Sequence, residues 1–243
     1  MEIADIKPEN FVYDYTMINR DEGQFDYYKK YYDLHTEFLR PLNIKIDLNL
    51  FEEEIKQYHS KFRRWGDNRN YLPRYGISLV NYDGNINGKY DIACGPLDQY
   101  NSAIREKRID VYPHKVLKES DFKEKTEVFY NLKSLRPLDT FREHLIRSCI
   151  LLWNKEASFV PHIDTAPKPE YNLRLWGVNK PNEYIFDYIG NKCIDVEPGR
   201  LYLCDTTQFH YARAMDDMIY TFFIALDNSQ KAMDKIQDVL QIN

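Results

Sequence analysis

The sequence predicts a mainly β protein, with a jelly-roll or sandwich core, helices ahead of it and one helix closing it. Two observations carry this. From residue 146 onwards, short runs rich in β-branched and aromatic residues follow one another at even spacing, over 148–153, 171–176, 184–189, 192–196, 200–204, 209–213 and 218–226. Gly, Pro, Asn and Asp turns separate them, Gly190-Asn191 and Pro198-Gly199 among them. Before residue 146, by contrast, the stretches 25–38 and 50–65 carry apolar residues at spacings of three and four, the period of a helix.

Taken in order, residues 1–20 alternate weakly through Phe11, Tyr13 and Tyr15 and suit an early strand or a strap over the surface. Phe25, Tyr28, Tyr31, Tyr32, His35 and Phe38 lie on one helical stripe, stopped by Pro41, and His35 on that stripe reads as a packed residue. Asp47 or Asn49 caps a second helix carrying Leu50, Ile55, Tyr58, Phe62 and Trp65 and ending at Gly66. Residues 74–84 read as a strand running into a turn at Asp83-Gly84. The stretch from Gly84 to Lys89 superficially resembles a phosphate loop, but it is one residue short and Tyr90 replaces the hydroxyl that would hold Mg²⁺. Residues 85–137 are the least periodic and read as a long surface connection or a substrate-facing insertion. A short helix over 138–144 follows, and 229–242 forms the closing helix, with Met233, Ile236, Val239 and Leu240 inward. The whole, 1–243, reads as one domain: 1–145 packing on the core, 146–228 the core itself, 229–243 the final helix.

Composition narrows the function. Hydrophobic residues make up 43% and aromatic residues 15%, a globular and not a disordered balance. A net charge of −5 and a pI near 5.7 supply no general basic field, which disfavours a nucleic-acid partner. Lys61, Arg63, Arg64, Arg69 and Arg74 are a local exception that reads first as a solvated helix end. Cys94, Cys149, Cys193 and Cys204 lack metal or redox spacing, and the start of the chain lacks the pattern of a secretory leader. With no apolar run long enough to span a bilayer, the expectation is a cytoplasmic protein with no membrane partner.

The chemistry concentrates in Phe159-Val-Pro-His-Ile-Asp. His162 and Asp164 are two apart, so on a strand both point to one side, and His210 follows on another strand roughly fifty residues later. Two imidazoles and one carboxylate on one face of an octahedral ion form the ligand set of a non-haem Fe(II) site, leaving positions open for a co-substrate and O₂. A double-stranded β-helix would bring the two strands together, and Pro161, Pro167 and Pro169 suit a strand end at a barrel mouth. A lone histidine is ordinarily a packed interior residue. Here the pair, the distal histidine and the strand-rich setting coincide. Zinc could take the same ligands, but the glutamate base and helical histidine pair of a zinc protease are missing.

With those residues in view, about 147–227 resembles the Fe(II)/2-oxoglutarate-dependent oxygenases, and within them the aspartyl/asparaginyl β-hydroxylase-like branch that includes proline hydroxylases. The resemblance rests on Arg147-Ser-Cys-Ile-Leu-Leu-Trp-Asn, Phe-Val-Pro-His-Ile-Asp, Asn172-Leu-Arg-Leu-Trp-Gly, Val196-Glu-Pro-Gly-Arg-Leu-Tyr-Leu-Cys-Asp and Phe209-His210. It implies a double-stranded β-helix of cupin-like form, with His162, Asp164 and His210 as iron ligands. It also implies 2-oxoglutarate and O₂ as co-substrates, and hydroxylation of an aliphatic C–H in an amino acid, free or within a peptide or protein. Arg174 matches a position that contacts a 2-oxoglutarate carboxylate, a task suited to a guanidinium fork. Asn172 and Trp176 share its strand as further candidate contacts, and Trp153, Tyr171 and Tyr202 are candidate cavity linings.

Two positions depart from the pattern. Many members of that branch carry Gly where Asp164 stands, so this chain has a full triad and leaves no ligand vacancy for a halide. The family's usual Arg about ten residues beyond the distal histidine is replaced by Tyr220, flanked by Thr221. Either Arg174 grips the far carboxylate, the favoured reading, or Arg213 does so with help from Tyr220. Two other functions stay in view: oxidation of a nucleic-acid base or nucleotide, with the Lys61 to Arg74 cluster on phosphates, and a cupin-like binding module without catalysis.

Overall fold

The computed structural model describes residues 30, 34–35, 37–64, 74–86, 116–162, 173–180, 185–187, 192–193, 196–206 and 210–241. Its core is mainly antiparallel β-sheet with a few helices. The first described strand is β1 (Leu39–Lys45), followed by α1 (Leu48–Ile55), a 3-10 segment over Lys56–Lys61, β2 (Arg63–Arg64) and β3 (Arg74–Asn81). A second 3-10 turn, Glu119–Asp121, leads to β4 (Glu124–Lys125), α2 (Glu127–Asn131) and a longer 3-10 helix, Lys133–Phe141. The strand-rich part holds β5 (Leu145–Trp153), β6 (Ser158–His162), β7 (Leu173–Val178), β8 (Ile185–Asp187), β9 (Lys192–Cys193), β10 (Arg200–Cys204), β11 (His210–Arg213) and β12 (Ile219–Leu226), before α3 (Gln230–Val239).

These strands form two sheets. The larger runs β1-β10-β7-β12-β5-β3-β2, with β4 also on β3, and the smaller runs β6-β11-β8-β9. From β5 to β12 the chain therefore passes back and forth between the sheets: β5, β7, β10 and β12 lie in one, β6, β8, β9 and β11 in the other. Strands β5 and β12, Leu-Ile-Arg-Ser-Cys-Ile-Leu-Leu-Trp and Ile-Tyr-Thr-Phe-Phe-Ile-Ala-Leu, are apolar almost throughout because both faces of the large sheet are covered.

One face is covered by helices. Leu173, Leu175, Leu201, Leu203, Phe222, Ile224 and Leu226 pack there with Phe51 and Ile55 of α1, Leu135, Leu138 and Phe141 of the long 3-10 helix, and Met233 and Ile236 of α3. The caps that start these helices are local chemistry: Asp47 accepts from Leu50 N at 3.1 Å and Ser229 from Ala232 N at 3.3 Å. The Glu54 carboxylate accepts from Lys133 N and Ser134 N, each at 3.0 Å, fastening α1 to the 3-10 helix. The other face meets the smaller sheet: Cys149, Leu151, Trp153 and Ile219 cluster with Ala157, Ala212 and Ala214, of which Ala212 belongs to β11.

Several expectations change. Pro41 does not stop a helix but sits inside β1, which among the described strands pairs with β10 and bridges Leu240 through Leu42 on its other side, so the missing N–H breaks no interior ladder. On its other side the Pro41 carbonyl accepts from Gln241 N at 3.0 Å. The second helix ends at Ile55, not Gly66, because the chain tightens into a 3-10 turn and then enters β2. The described part of the aperiodic stretch and its sequel are ordered around Phe122, Val128, Phe129, Leu132, Leu135 and Leu138, all buried and hidden in sequence among charges and prolines. Strands β1 to β4 extend the large sheet with residues that precede the core boundary read at 146. Among the described residues no helix is long and apolar enough to cross a membrane.

Two glycines hold the large sheet close. At Gly177 a Cβ would lie 2.6 Å from the Arg200 carbonyl oxygen, so any side chain there would force β7 away from the start of β10. Gly199 has φ +79°, donates to Val178 O at 2.7 Å and accepts from Ile46 N at 2.8 Å, which makes the predicted Pro198-Gly199 turn the joint between β7, β10 and the end of β1.

Candidate metal and co-substrate site

The site begins with a register. Strands β6 and β11 pair antiparallel so that His210 stands directly opposite His162, bringing two sequence-distant histidines to neighbouring positions. On its other side β11 pairs with β8, and there Asp187 is the residue opposite His210. The His210 ring is half-buried and lies 5.9 Å from the ring of Phe38, centroid to centroid, at a 34° tilt. Asp164, Asn172 and Tyr171 lie outside the described residues. Among the described residues no group of three or more His, Cys, Asp or Glu side chains is arranged to hold a metal.

Facing this strand pair is the inner face of the large sheet. Phe38 O accepts from Asp205 N at 2.9 Å, next to Cys204, and Cys204 is the cross-strand partner of Arg174. His210 thus sits at the Arg174 end of that face. Arg174 donates to the Glu119 carboxylate, whose other oxygen takes Arg147 Nη1 at 3.0 Å. The side chains of Arg174, Arg147 and Glu119 are only 11%, 9% and 17% exposed. Each guanidinium also lies over an aromatic ring, Arg174 5.2 Å from Phe223 and Arg147 5.9 Å from Phe122. Two guanidiniums sharing one carboxylate form a compact basic cluster on the inner face.

The remaining candidates separate clearly. Trp176 is half-buried on the inner face beside Tyr202 and Cys204, and the Tyr202 hydroxyl accepts from Glu197 N at 2.7 Å. Arg213 pairs with Glu156, both 43% exposed, at the end of β11 away from His210. Tyr220 faces the helices: its ring packs edge-on to Phe51 and its hydroxyl lies 2.6 Å from His59 Nε2. Burial, with the Glu52 charge adding to it, pushes its phenol up to about 12. Thr221, one residue on, faces the interior instead, opposite Leu151 and Val178. Of the basic cluster read from Lys61 to Arg74, Arg63 and Arg64 are exposed on β2, while Arg74 is buried with its guanidinium 5.1 Å from the Trp153 ring centroid.

A serine–histidine–aspartate grouping also occurs, at Ser229, His144 and Asp227. Both the serine hydroxyl, at 3.3 Å, and the carboxylate, at 3.2 Å, meet the same ring nitrogen, Nδ1. A nucleophile relay needs them on opposite nitrogens, so this grouping caps α3 and does no acyl chemistry.

No protein-family model matches the chain, and no curated protein matches it. Solved structures do resemble it. One is a Pseudomonas putida prolyl-4-hydroxylase, 13% identical at a TM-score of 0.42, over 83% of this chain and 98% of that one. Another is a Trichoplax adhaerens prolyl hydroxylase in complex with a hypoxia inducible factor oxygen degradation domain peptide fragment, 11% identical at 0.44, over 88% and 96%. A third is a 2OG-Fe(II) oxygenase family oxidoreductase from Burkholderia pseudomallei, 12% identical at 0.34, over 73% and 80%.

Sequence reading passed over Glu119, Phe38 and Asp187. Glu119 lies in the aperiodic stretch, where no spacing singles out one acid among many. Phe38 falls on a helical stripe in sequence but lies in a bend just ahead of β1. Asp187 left a signal: it is the one acid within the run Tyr-Ile-Phe-Asp-Tyr-Ile, where a charge on a strand asks for a reason.

Proposed function

We propose that the chain is an Fe(II)- and 2-oxoglutarate-dependent dioxygenase with a double-stranded β-helix core, hydroxylating an aliphatic C–H of an amino acid, free or within a peptide or protein. The observation that carries the reading is the β6–β11 register, which sets His210 opposite His162. Asp164, two residues beyond His162, supplies the carboxylate of the ligand set. The passage of β5 to β12 between two sheets is the strand exchange that a double-stranded β-helix requires.

In this reading His162, Asp164 and His210 would hold the metal, and Fe(II), when bound with 2-oxoglutarate and O₂, would supply the oxidising chemistry. Phe38 packs against the His210 ring and shields it from water. Arg174, at the same end of the inner face, grips the far carboxylate of the co-substrate, its guanidinium oriented by Glu119. Trp176 and Tyr202 form the neighbouring wall. Arg213 and Tyr220 drop out as anchors, since one pairs with Glu156 at the surface and the other faces the helices.

The test is conversion of 2-oxoglutarate to succinate by the full chain with Fe(II) and ascorbate, alongside Mn(II) affinity. His162→Ala and His210→Ala are each expected to cut turnover at least 100-fold and to weaken Mn(II) binding by 10-fold or more, with the fold intact. Full turnover in His162→Ala would refute the ligand assignment.

A further inference from the structure

A row of polar residues crosses the smaller sheet. Its strands run β6-β11-β8-β9, and their registers place His162 opposite His210, His210 opposite Asp187 and Asp187 opposite Lys192. Direct partners share a face, so the row reads imidazole, imidazole, carboxylate, ammonium from one edge of the sheet to the other. The next row on that face is apolar: Phe159, Ala212 and Ile185 stand in register on β6, β11 and β8. Ala212 packs with the cluster around Trp153, which makes this the inner face.

Asp187 thus places a carboxylate on a strand that is paired on both sides, within a run, Tyr-Ile-Phe-Asp-Tyr-Ile, that is otherwise uncharged. An acid in such a place asks for a partner. A cross-strand ion pair with Lys192 would account for the acid by itself, but it leaves His210, the neighbour on the other flank, without a part.

Imidazole chemistry supplies that part. A histidine that gives one ring nitrogen to a metal keeps an N–H at the other, and metal-binding histidines nearly always pass that hydrogen to a carboxylate, a backbone carbonyl or water. Sharing a metal with His162 would engage His210 from the β6 side, and the register sets Asp187 on the β8 side. The Phe38 ring, 5.9 Å from that of His210, limits the access of water as a competing acceptor. In such surroundings a charge-assisted hydrogen bond is stronger than in open solvent.

We propose that Asp187 is a positioning residue for His210, its carboxylate taking the imidazole hydrogen on the side away from the metal, with Lys192 balancing its charge. The bond fixes the tautomer and orientation of the ring and makes it a stronger ligand. This rests on the metal reading above, in which Asp164 remains the ligand carboxylate.

The experiment is Mn(II) binding to the full chain without co-substrate, read from the free-ion electron paramagnetic resonance signal, with thermal unfolding as the check that each variant is folded. Asp187→Ala is expected to weaken Mn(II) binding by roughly 10-fold, and Asp187→Asn, which keeps an acceptor oxygen, to bind within about threefold of the unaltered protein. Coupling gives the sharper comparison. In a His210→Ala background, Asp187→Ala is expected to cost less than about a further twofold, because the ring it acts through is gone. Should Asp187→Ala fail to fold, Asp187→Leu, close in size and without an acceptor, takes its place in both arms. Two results overturn the positioning role while leaving the ligand assignment standing. One is a folded Asp187→Ala that binds Mn(II) within about twofold of the unaltered protein; the other is a loss of full size that persists in the His210→Ala background, which would make Asp187 act independently of the ring. If His210→Ala itself bound Mn(II) as tightly as the unaltered protein, the ligand assignment and the positioning role would fall together.

Discussion

The two faces of the large sheet are made by alternate residues of the same strands, yet they are chemically opposite. On the helix-covered face Phe222, Ile224, Leu173, Leu175, Leu201 and Leu203 pack against Phe51 and Ile55, and the Tyr220 phenol meets His59. On the inner face the same strands present Arg174, Arg147, Thr221 and Trp153, buried polar groups that apolar packing alone does not satisfy. Adjacent residues show the contrast most sharply, since Tyr220 and Thr221 differ by one position and face opposite ways. One face is closed by apolar packing, and the other holds buried polar groups and a shared Arg–Glu–Arg cluster whose burial costs stability.

Substitutions can break or sharpen this contrast. The largest stability loss is expected on the covered face. Phe222→Ala removes a fully buried ring 4.9 Å from that of Phe51 and should lower unfolding free energy by about 4 kcal/mol in denaturant titration, with 2-oxoglutarate affinity per folded molecule unchanged. Glu119→Gln on the inner face takes the shared carboxylate from two mostly buried guanidiniums. A loss of about 3 kcal/mol is expected, now with altered co-substrate affinity as well. If that variant changed stability alone, the division between the faces would blur.

Tyr220→Phe is the smallest change, about 1 kcal/mol at neutral pH for the lost bond to His59. Its pH dependence is diagnostic. The folded phenol ionises near 12 and the unfolded one near its ordinary 10, so the contribution is whole below pH 10 and is lost as pH rises towards 12. Thermal unfolding across that window should fall less steeply in Tyr220→Phe than in the unaltered protein.

Much of the strand-rich part was legible because its signals are local. β10 runs over 200–204 as its Pro-Gly turn and short apolar run predict, and Ser229 caps the last helix. The candidate histidines were legible as residue types at a spacing, and the register adds what spacing cannot, that the two stand opposite one another. What stayed hidden depends on faces and partners. A one-residue shift decides whether Tyr220 or Thr221 looks inward, and the pairing of Thr221 with Leu151 and Val178 fixes that phase without a sequence mark. Strand β1 was hidden by Pro41, whose usual meaning reverses at a sheet edge. Glu119 joins Arg147 and Arg174 only through tertiary folding.

The pairing of β1 with β10 also bears on how the chain is made. Leu39 pairs with Cys204, roughly 165 residues later, which at 5–20 residues per second leaves β1 waiting on the order of ten seconds or more during synthesis. Throughout that interval Leu39, Leu42 and Ile44 have no sheet to enter, and the unpaired strand is an invitation to other nascent chains. A ribosome-associated chaperone that shields this short segment would raise the yield of folded protein more than one acting after release.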